Sequence, residues 1–169
     1  MKTENNYAFI DAQNVHLSIK RLGWELDWQK FFVHLSRKYS IKKAYIFLGY
    51  IPGNAELYRL LQSYGYDIIF KDVLRDKLGK YKGNVDAELV LYSAAIEYEQ
   101  FDKAVIVSGD GDFACLVKFL LDRDKLCAIM PPDQNRYSSL LNKASKENKN
   151  ILCFISRARA KLEKIEKIA

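Results

Sequence analysis

Proline and glycine are scarce, at 3 and 8 in 169 residues, which leaves no room for a long flexible linker. Disorder is therefore not expected beyond the termini. Long apolar runs are missing too: the longest are about one strand in length, and Met1-Lys2-Thr3-Glu4-Asn5-Asn6 is polar rather than a charged prelude to an apolar segment. Neither a signal peptide nor a membrane span is expected, and the cytoplasm is the expected location. Histidine occurs twice, with no paired Cys-His spacing, which argues against a zinc site. The three cysteines, Cys115, Cys127 and Cys153, are odd in number, widely spaced and set among apolar neighbours. Reduced core thiols are expected there rather than a disulfide framework or a metal site.

What is present fits an ordinary globular chain, with 49% hydrophobic and 28% charged residues. Its length suffices to bury a substantial core without covalent or metal staples, so one compact domain is the starting expectation. The formal net charge of +6 is unevenly placed. Residues 136–169 hold nine of the 27 Lys and Arg but three of the 21 Asp and Glu, so the remainder of the chain is balanced. A basic end on a balanced domain points to a polyanionic partner, because Lys and Arg near phosphates release counterions on binding. A solvated helix face that aids solubility accounts for the same charge.

Tyr7-Ala8-Phe9-Ile10, ending at Asp11, and Ala44 to Tyr50, ending near Pro52-Gly53, read as buried strands. Between them the chain is mostly helix, with Trp28, Phe31, Phe32, Leu35 and Tyr39 at helical spacing. The pattern repeats: a helix from about Ala55 to Tyr64, a strand Asp67 to Phe70, a helix from about Val85 to Tyr98 and a strand Ala104 to Val107. A helix from about Asp112 to Leu121 and a strand Leu126 to Met130 follow. Strands alternating with helices imply parallel strands and right-handed crossovers, hence a three-layer α/β/α sandwich with a mostly parallel central sheet. After Pro131-Pro132 a helix from Ser138 to Ala144, a short strand Ile151 to Phe154 and a basic helix from about Ser156 to Ile168 are expected. In the last, Ala158, Leu162, Ile165 and Ile168 form a packing face, while Arg157, Arg159, Lys161, Lys164 and Lys167 stay wet.

In an open parallel sheet, ligands bind outside the carboxyl ends of the strands, where loops diverge and helix N-termini point their N–H groups outward. The acids fall at that edge. Asp11 directly follows the first strand; Ser108-Gly109-Asp110-Gly111-Asp112 follows the Ala104 strand; Asp86 opens a helix whose connection starts from the same edge. Four carboxylates from three segments should converge, with Gly109 and Gly111 letting the backbone turn without Cβ clashes. Crowded carboxylates repel unless a cation lies between them. Mg²⁺ or Mn²⁺ is the natural choice, being a hard cation that takes oxygen ligands and keeps waters that phosphate oxygens can replace. An isolated Asp at a strand end is commonly a cap or turn residue, and Asp112 and Asp110 singly fit those roles; joint placement at one edge is what favours chemistry.

Asn14 and Ser108 stand close to these acids and can orient a water or phosphate, or serve as cap and turn residues. His16 reads as structural beside a helix start, and His34 as a surface helix residue. The segment Lys71 to Gly83 carries Lys71, Arg75, Lys77, Lys80 and Lys82 with Tyr81 interleaved. Cations around an aromatic platform suit single-stranded or unpaired nucleic acid, and an exposed hairpin or loop is the plain alternative. Lys82, four residues before Asp86, is the cation expected to face the metal site.

Phe9-Ile10-Asp11-Ala12-Gln13-Asn14, Lys82-Gly83-Asn84-Val85-Asp86 and Val107-Ser108-Gly109-Asp110-Gly111-Asp112-Phe113 resemble, in that order, the three motifs of the NYN domain. This is a PIN-like group that includes the LabA-like proteins, and the resemblance runs from about Tyr7 to Phe154. It implies a Rossmann-like PIN fold and Mg²⁺- or Mn²⁺-dependent cleavage of RNA, with Asp11, Asp86, Asp110 and Asp112 as ligands. Asn14 and Lys82 carry over as supporting positions. The expected organisation is a nuclease domain over residues 1–155, with a basic C-terminal helix over residues 156–169 packed on it or extending from it.

Substrate contacts are expected from Asn14, Lys82, Ser108, Lys80, Tyr81 and Arg75. A non-catalytic module that binds RNA or a regulatory protein on the same surface would need the basic residues but not the metal. A phosphoacceptor or phosphotransferase domain of receiver or haloacid-dehalogenase type also uses acids at strand ends. It wants a lysine late in the chain after a strand, where Met130-Pro131-Pro132 stands here. The aromatic load, 11 Tyr and 9 Phe, is enough for a homodimer surface without locating one.

Overall fold

A computed structural model of the protein describes residues 4–79, 81, 82, 84–145 and 148–165, without the side chains of residues 81, 82 and 149. Its centre is a five-stranded sheet made of β1 (Asn6–Asp11), β2 (Ile41–Gly49), β3 (Tyr66–Lys71), β6 (Ala104–Val107) and β7 (Leu126–Ile129). The intervening β4 (Leu74–Arg75) and β5 (Tyr81–Lys82) form a separate antiparallel hairpin. The spatial order is β3-β2-β1-β6-β7, and every pairing in this sheet is parallel. The α/β sandwich expected from the alternation of elements is present.

Burial explains the strand sequences. All six residues of β1 are buried, which a strand covered on both faces requires and a half-solvated strand would not. Because side chains alternate along a strand, two separate cores follow. Ala8, Ile10, Ala44, Ile46, Val105 and Val107 face one core; Tyr7, Phe9, Tyr45, Phe47, Ala104 and Ile106 face the other. The first core is covered by α1 (Ala12–Arg21) through Val15 and Ile19, and by α2 (Trp28–Tyr39) through Phe31, Leu35 and Tyr39. Leu61 of α3 (Ala55–Ser63) joins them. The second core is covered by Leu89 of α4 (Asp86–Leu91), by Leu116, Val117 and Leu120 of α5 (Ala114–Leu121), and by Leu141 of α6 (Ser139–Ala144). Fully burying one such side chain contributes about 1.5–3 kcal/mol.

Several boundaries differ from the sequence expectations. The helix expected from Val85 to Tyr98 is α4 followed by a π-helical turn, Tyr92–Ile96. The helix expected from Asp112 begins as a 3₁₀ turn, Gly111–Phe113, so Asp112 is not its cap; the Asp110 carboxylate caps the turn by accepting from Asp112 N–H at 3.0 Å. The strand expected over Ile151 to Phe154 is reduced to a single bridge between Leu152 and Ile129.

The basic helix expected from Ser156 to Ile168 is, among the described residues, a 3₁₀ turn Ile155–Ala158 and a short α7 (Arg159–Leu162). There the backbone leaves the helix to pair with another segment: Asp27 N–H donates to Leu162 O at 2.8 Å, and Lys164 N–H to Glu25 O at 2.9 Å. Leu162 is buried as expected, but Ile165 is 76% exposed; Lys167 and Ile168 lie outside the described residues. Arg157, Arg159, Lys161 and Lys164 are exposed, as expected. The cysteines are not core thiols: Cys115 is exposed, and Cys127 and Cys153 are half-buried at the edge of the first core. Among the described residues, no helix is long and apolar enough to cross a membrane.

Candidate metal centre

The strand order fixes where a ligand can enter. From β1 the chain builds outward to β2 and β3, then returns to lay β6 and β7 on the other side of β1. The loops leaving β1 and β6 therefore diverge, and a crevice opens between their carboxyl ends. Asp11 is the last residue of β1, and Ser108 to Asp112 follow β6.

Hydrogen bonds lock these two strand ends together. Asp11 caps α1, its Oδ1 accepting Asn14 N–H at 3.1 Å, while its Oδ2 accepts from Ser108 Oγ at 3.3 Å. Ser108 Oγ in turn accepts Asp110 N–H at 3.1 Å. Asn14 Oδ1 accepts Gly109 N–H at 2.9 Å, tying the β6 loop to α1. Each bond fixes a segment carrying a carboxylate, so the acids are positioned by backbone rather than by free rotation. Asp86 is held from its own side: Asn84 Oδ1 accepts Asp86 N–H at 2.9 Å, and Asn84 Nδ2 donates to Asp86 Oδ2 at 2.7 Å.

The result is a convergence of charge. Asp86, Asp110 and Asp112 each offer a carboxylate oxygen, and these oxygens lie within 4.8 Å of one another. Asp11 is outside this group of three but within electrostatic reach of Asp86 and Asp110; it is 6% exposed, and its carboxyl is pushed up to about 6. Burial is the largest cause; the Asp86 and Asp110 charges add to it, against the lowering bonds from Asn14 and Ser108. The Asp86 carboxyl is likewise raised, first by burial and then by Asp110 and Asp112, while Asn84 and Lys71 oppose the shift. The donor set fits a hard divalent cation: several carboxylates from separate segments, whose mutual repulsion a cation between them would cancel.

The role of the glycines is narrower than the sequence implied. Gly111 is required by close approach: a Cβ there would overlap Ser138 Oγ and stand 2.9 Å from Ser138 Cβ. At Gly109 a Cβ would meet only ordinary contacts, the nearest at 3.5 Å. Neither has a left-handed backbone.

Of the expected substrate contacts, Asn14 and Ser108 are in the network just described. Arg75 is on the β4–β5 hairpin, lining a shallow cavity with Tyr50, Pro52, Asp72 and Val73. Lys80 lies outside the described residues, as do the side chains of Tyr81 and Lys82. His16 is exposed on α1, beside Trp24, Glu25 and Trp28. His34 is half-buried on α2 rather than simply on the surface.

For three residues of this neighbourhood the sequence suggested no role at the acidic edge. Asn84 lay inside a quoted motif, and its place two residues before a helix-opening Asp is an Asx-turn signal. Lys71, at the end of β3, bonds the Asn84 carbonyl and pairs with Glu88 at 3.4 Å; its position at the carboxyl end of a strand was the available signal. Ser138 caps α6, as its place at the expected helix start suggests, but nothing local signals that its N–H donates to Gly109 O at 3.0 Å.

Comparison with known proteins supplies the family. The family model of the NYN domain matches residues 7–152. The chain belongs to the NYN domain family. That is a PIN-like family whose members are generally nucleases, and a nuclease-type domain implies contact with nucleic acid and commonly the use of divalent metals. A crystal structure of a protein of unknown function from Vibrio parahaemolyticus superposes with a TM-score of 0.74 at 20% identity, over 92% of this chain and 95% of that one. At that identity the likeness concerns the fold. No curated protein matches the sequence.

Proposed function

We propose that this NYN domain is a Mg²⁺- or Mn²⁺-dependent ribonuclease that hydrolyses phosphodiester bonds in single-stranded or unpaired RNA. The observation that carries the reading is the approach of the Asp86, Asp110 and Asp112 oxygens to within 4.8 Å of one another at the strand-order switch point, with buried Asp11 beside them. Structural need alone would disperse such charges.

Asp86, Asp110 and Asp112 would hold the cation, and Asp11 would complete the donor set. When bound, Mg²⁺ or Mn²⁺ supplies positive charge that offsets the charge developing on the phosphate and favours deprotonation of the attacking water. Ser108 and Asn14 act by positioning: they fix the Asp11 carboxylate and the Asp110 loop before substrate arrives, so no reorganisation is needed at the reacting centre. With Asn14 Oδ1 occupied by Gly109, the Asn14 amide nitrogen is its donor for a phosphate oxygen. Lys82 is assigned a phosphate contact, and the segment from Arg75 through Lys80 and Tyr81 the flanking nucleotides, on their place in sequence between β3 and α4.

The test is cleavage of an end-labelled single-stranded RNA under Mg²⁺ and Mn²⁺ titration, with EDTA and the Asp110→Asn variant beside the wild type. Metal-dependent cleavage that disappears in the variant supports the reading. Tight, salt-sensitive RNA binding without cleavage under any divalent metal would replace it with a binding module.

A further inference from the structure

A second charged feature lies away from the acids. The outer face of α2 carries Lys30, His34, Arg37 and Lys38 at spacings of four, three and one, and the segment Arg157 to Leu162 runs alongside it. Between them are two adjoining cavities of about 680 and 460 Å³, sharing His34, Lys38 and Lys161 in their walls. Arg157 and Phe154 extend the lining at one end. The acid in this lining is Asp27, which faces Lys30 at 3.8 Å. Among the described residues, no carboxylate pairs with Arg37, Lys38 or Lys161. Crowding of like charge is felt locally: burial, then Lys38 and Lys161, lower the His34 pKa. Under the groove the Tyr39 hydroxyl is buried beside the Cys153 thiol.

Along α2 the cations from Lys30 to Lys38 span about 12 Å. That is too long for one phosphate group and suited to a run of consecutive phosphodiesters. Half-buried Phe154, stacked at 4.9 Å by the Arg157 guanidinium, adds an aromatic ring at the groove's end, the combination that grips an unpaired strand.

We infer that the groove between α2 and the Arg157–Leu162 segment is an exosite for the phosphate backbone of single-stranded nucleic acid. It holds substrate at a distance from the acidic cluster; that role rests on the nuclease reading, whereas the binding itself does not.

The test is fluorescence anisotropy with a labelled 20-nucleotide single-stranded RNA in EDTA. It compares the wild type, the groove variant Arg37→Gln/Lys38→Gln/Lys161→Gln, and a control of equal charge, Lys42→Gln/Arg59→Gln/Lys118→Gln. Losing three phosphate contacts should reduce the slope of log affinity against log salt by about 2 and weaken binding roughly tenfold or more. The control should change little. With metal, the groove variant should raise KM for the 20-nucleotide RNA while leaving kcat and cleavage of a tetranucleotide unchanged.

If the wild type binds no RNA, or the groove and control variants lose affinity equally, the exosite is overturned. A wild type that cleaves nothing while the groove variant alone loses binding would refute the nuclease reading and leave the exosite standing.

Discussion

The acidic edge and the basic groove are both concentrations of like charge, but they are built in opposite ways. At the edge, the short Asp11, Asp86 and Asp110 side chains are tied down by Asn14, Asn84, Ser108 and backbone N–H groups, and Asp112 is held through its own N–H on Asp110. Burial raises the proton affinity of Asp11 and Asp86, and repulsion between the fixed charges adds to it. In the groove, Arg37, Lys38 and Lys161 are exposed on flexible stems that can spread into water. A rigid cluster of anions asks for a point cation at fixed geometry; a supple row of cations asks for an extended polyanion whose shape need not be known in advance. The first arrangement specifies chemistry, the second holds a polymer near it.

The comparison breaks most visibly if single substitutions are interchangeable between the regions. Asp110→Asn should reduce metal-dependent cleavage by more than about 100-fold, beyond the loss typical of a residue that only supports a ligand, with the circular dichroism spectrum unchanged. The groove variant should leave kcat intact.

Next in size, Leu162→Ala removes the buried anchor, 1% exposed, that seats the groove's second wall. It should cost about 2–5 kcal/mol in a denaturant titration. It should also weaken RNA binding more than it affects tetranucleotide cleavage.

Asp11→Asn separates rigidity from charge. Asp11 has its folded pKa raised to about 6 from 3.8, so between those values the metal-free folded protein binds a proton that the unfolded chain has lost. Stability contributed by this group is present at low pH, falls as pH rises from about 4 to about 6, and is flat above that. The shift corresponds to about 3 kcal/mol. In EDTA, Asp11→Asn should therefore raise the melting temperature at pH 7 but not at pH 4; in Mg²⁺ or Mn²⁺ it should abolish cleavage. No gain at pH 7 would mean that Asp11 is not under electrostatic stress.

The smallest effect is expected where the acid loop meets α6. Gly111→Ala should cost about 1–3 kcal/mol through overlap with Ser138, and Ser138→Gly in the same chain should recover part of it.

How much of this was legible in the sequence depended on how local the determining forces were. The apolar strands and amphipathic helices gave the sheet and its two covered faces, and the three acid segments could be placed at one edge from strand ends alone. The C-terminal basic helix was misjudged because its apolar spacing is genuine as far as Leu162, but hydrogen bonds to Glu25 and Asp27 pull the backbone out of the helix there. Ile151 to Phe154 reads as a strand by composition, yet its pairing with β7 stops at the Leu152–Ile129 bridge, closed by Cys153 N–H donating to Ile129 O at 2.9 Å. The Ser138–Gly109 bond and the true reason for Gly111 are contacts between distant segments and leave no local trace. The pairing of α2 with the Arg157–Leu162 segment into one groove was likewise invisible, since neither stretch differs in sequence from an ordinary solvated helix face.

The central claim is that the four acids form one cation site, and Mn²⁺ binding followed by electron paramagnetic resonance tests it without reference to any substrate. At pH 7.5 the wild type should bind Mn²⁺ with an affinity that drops at pH 5, as Asp11 takes up a proton. Asp86→Asn, Asp110→Asn and Asp112→Asn should each weaken it at least tenfold. Mn²⁺ affinity that is unchanged across all three variants, or independent of pH between 5 and 7.5, would contradict the account.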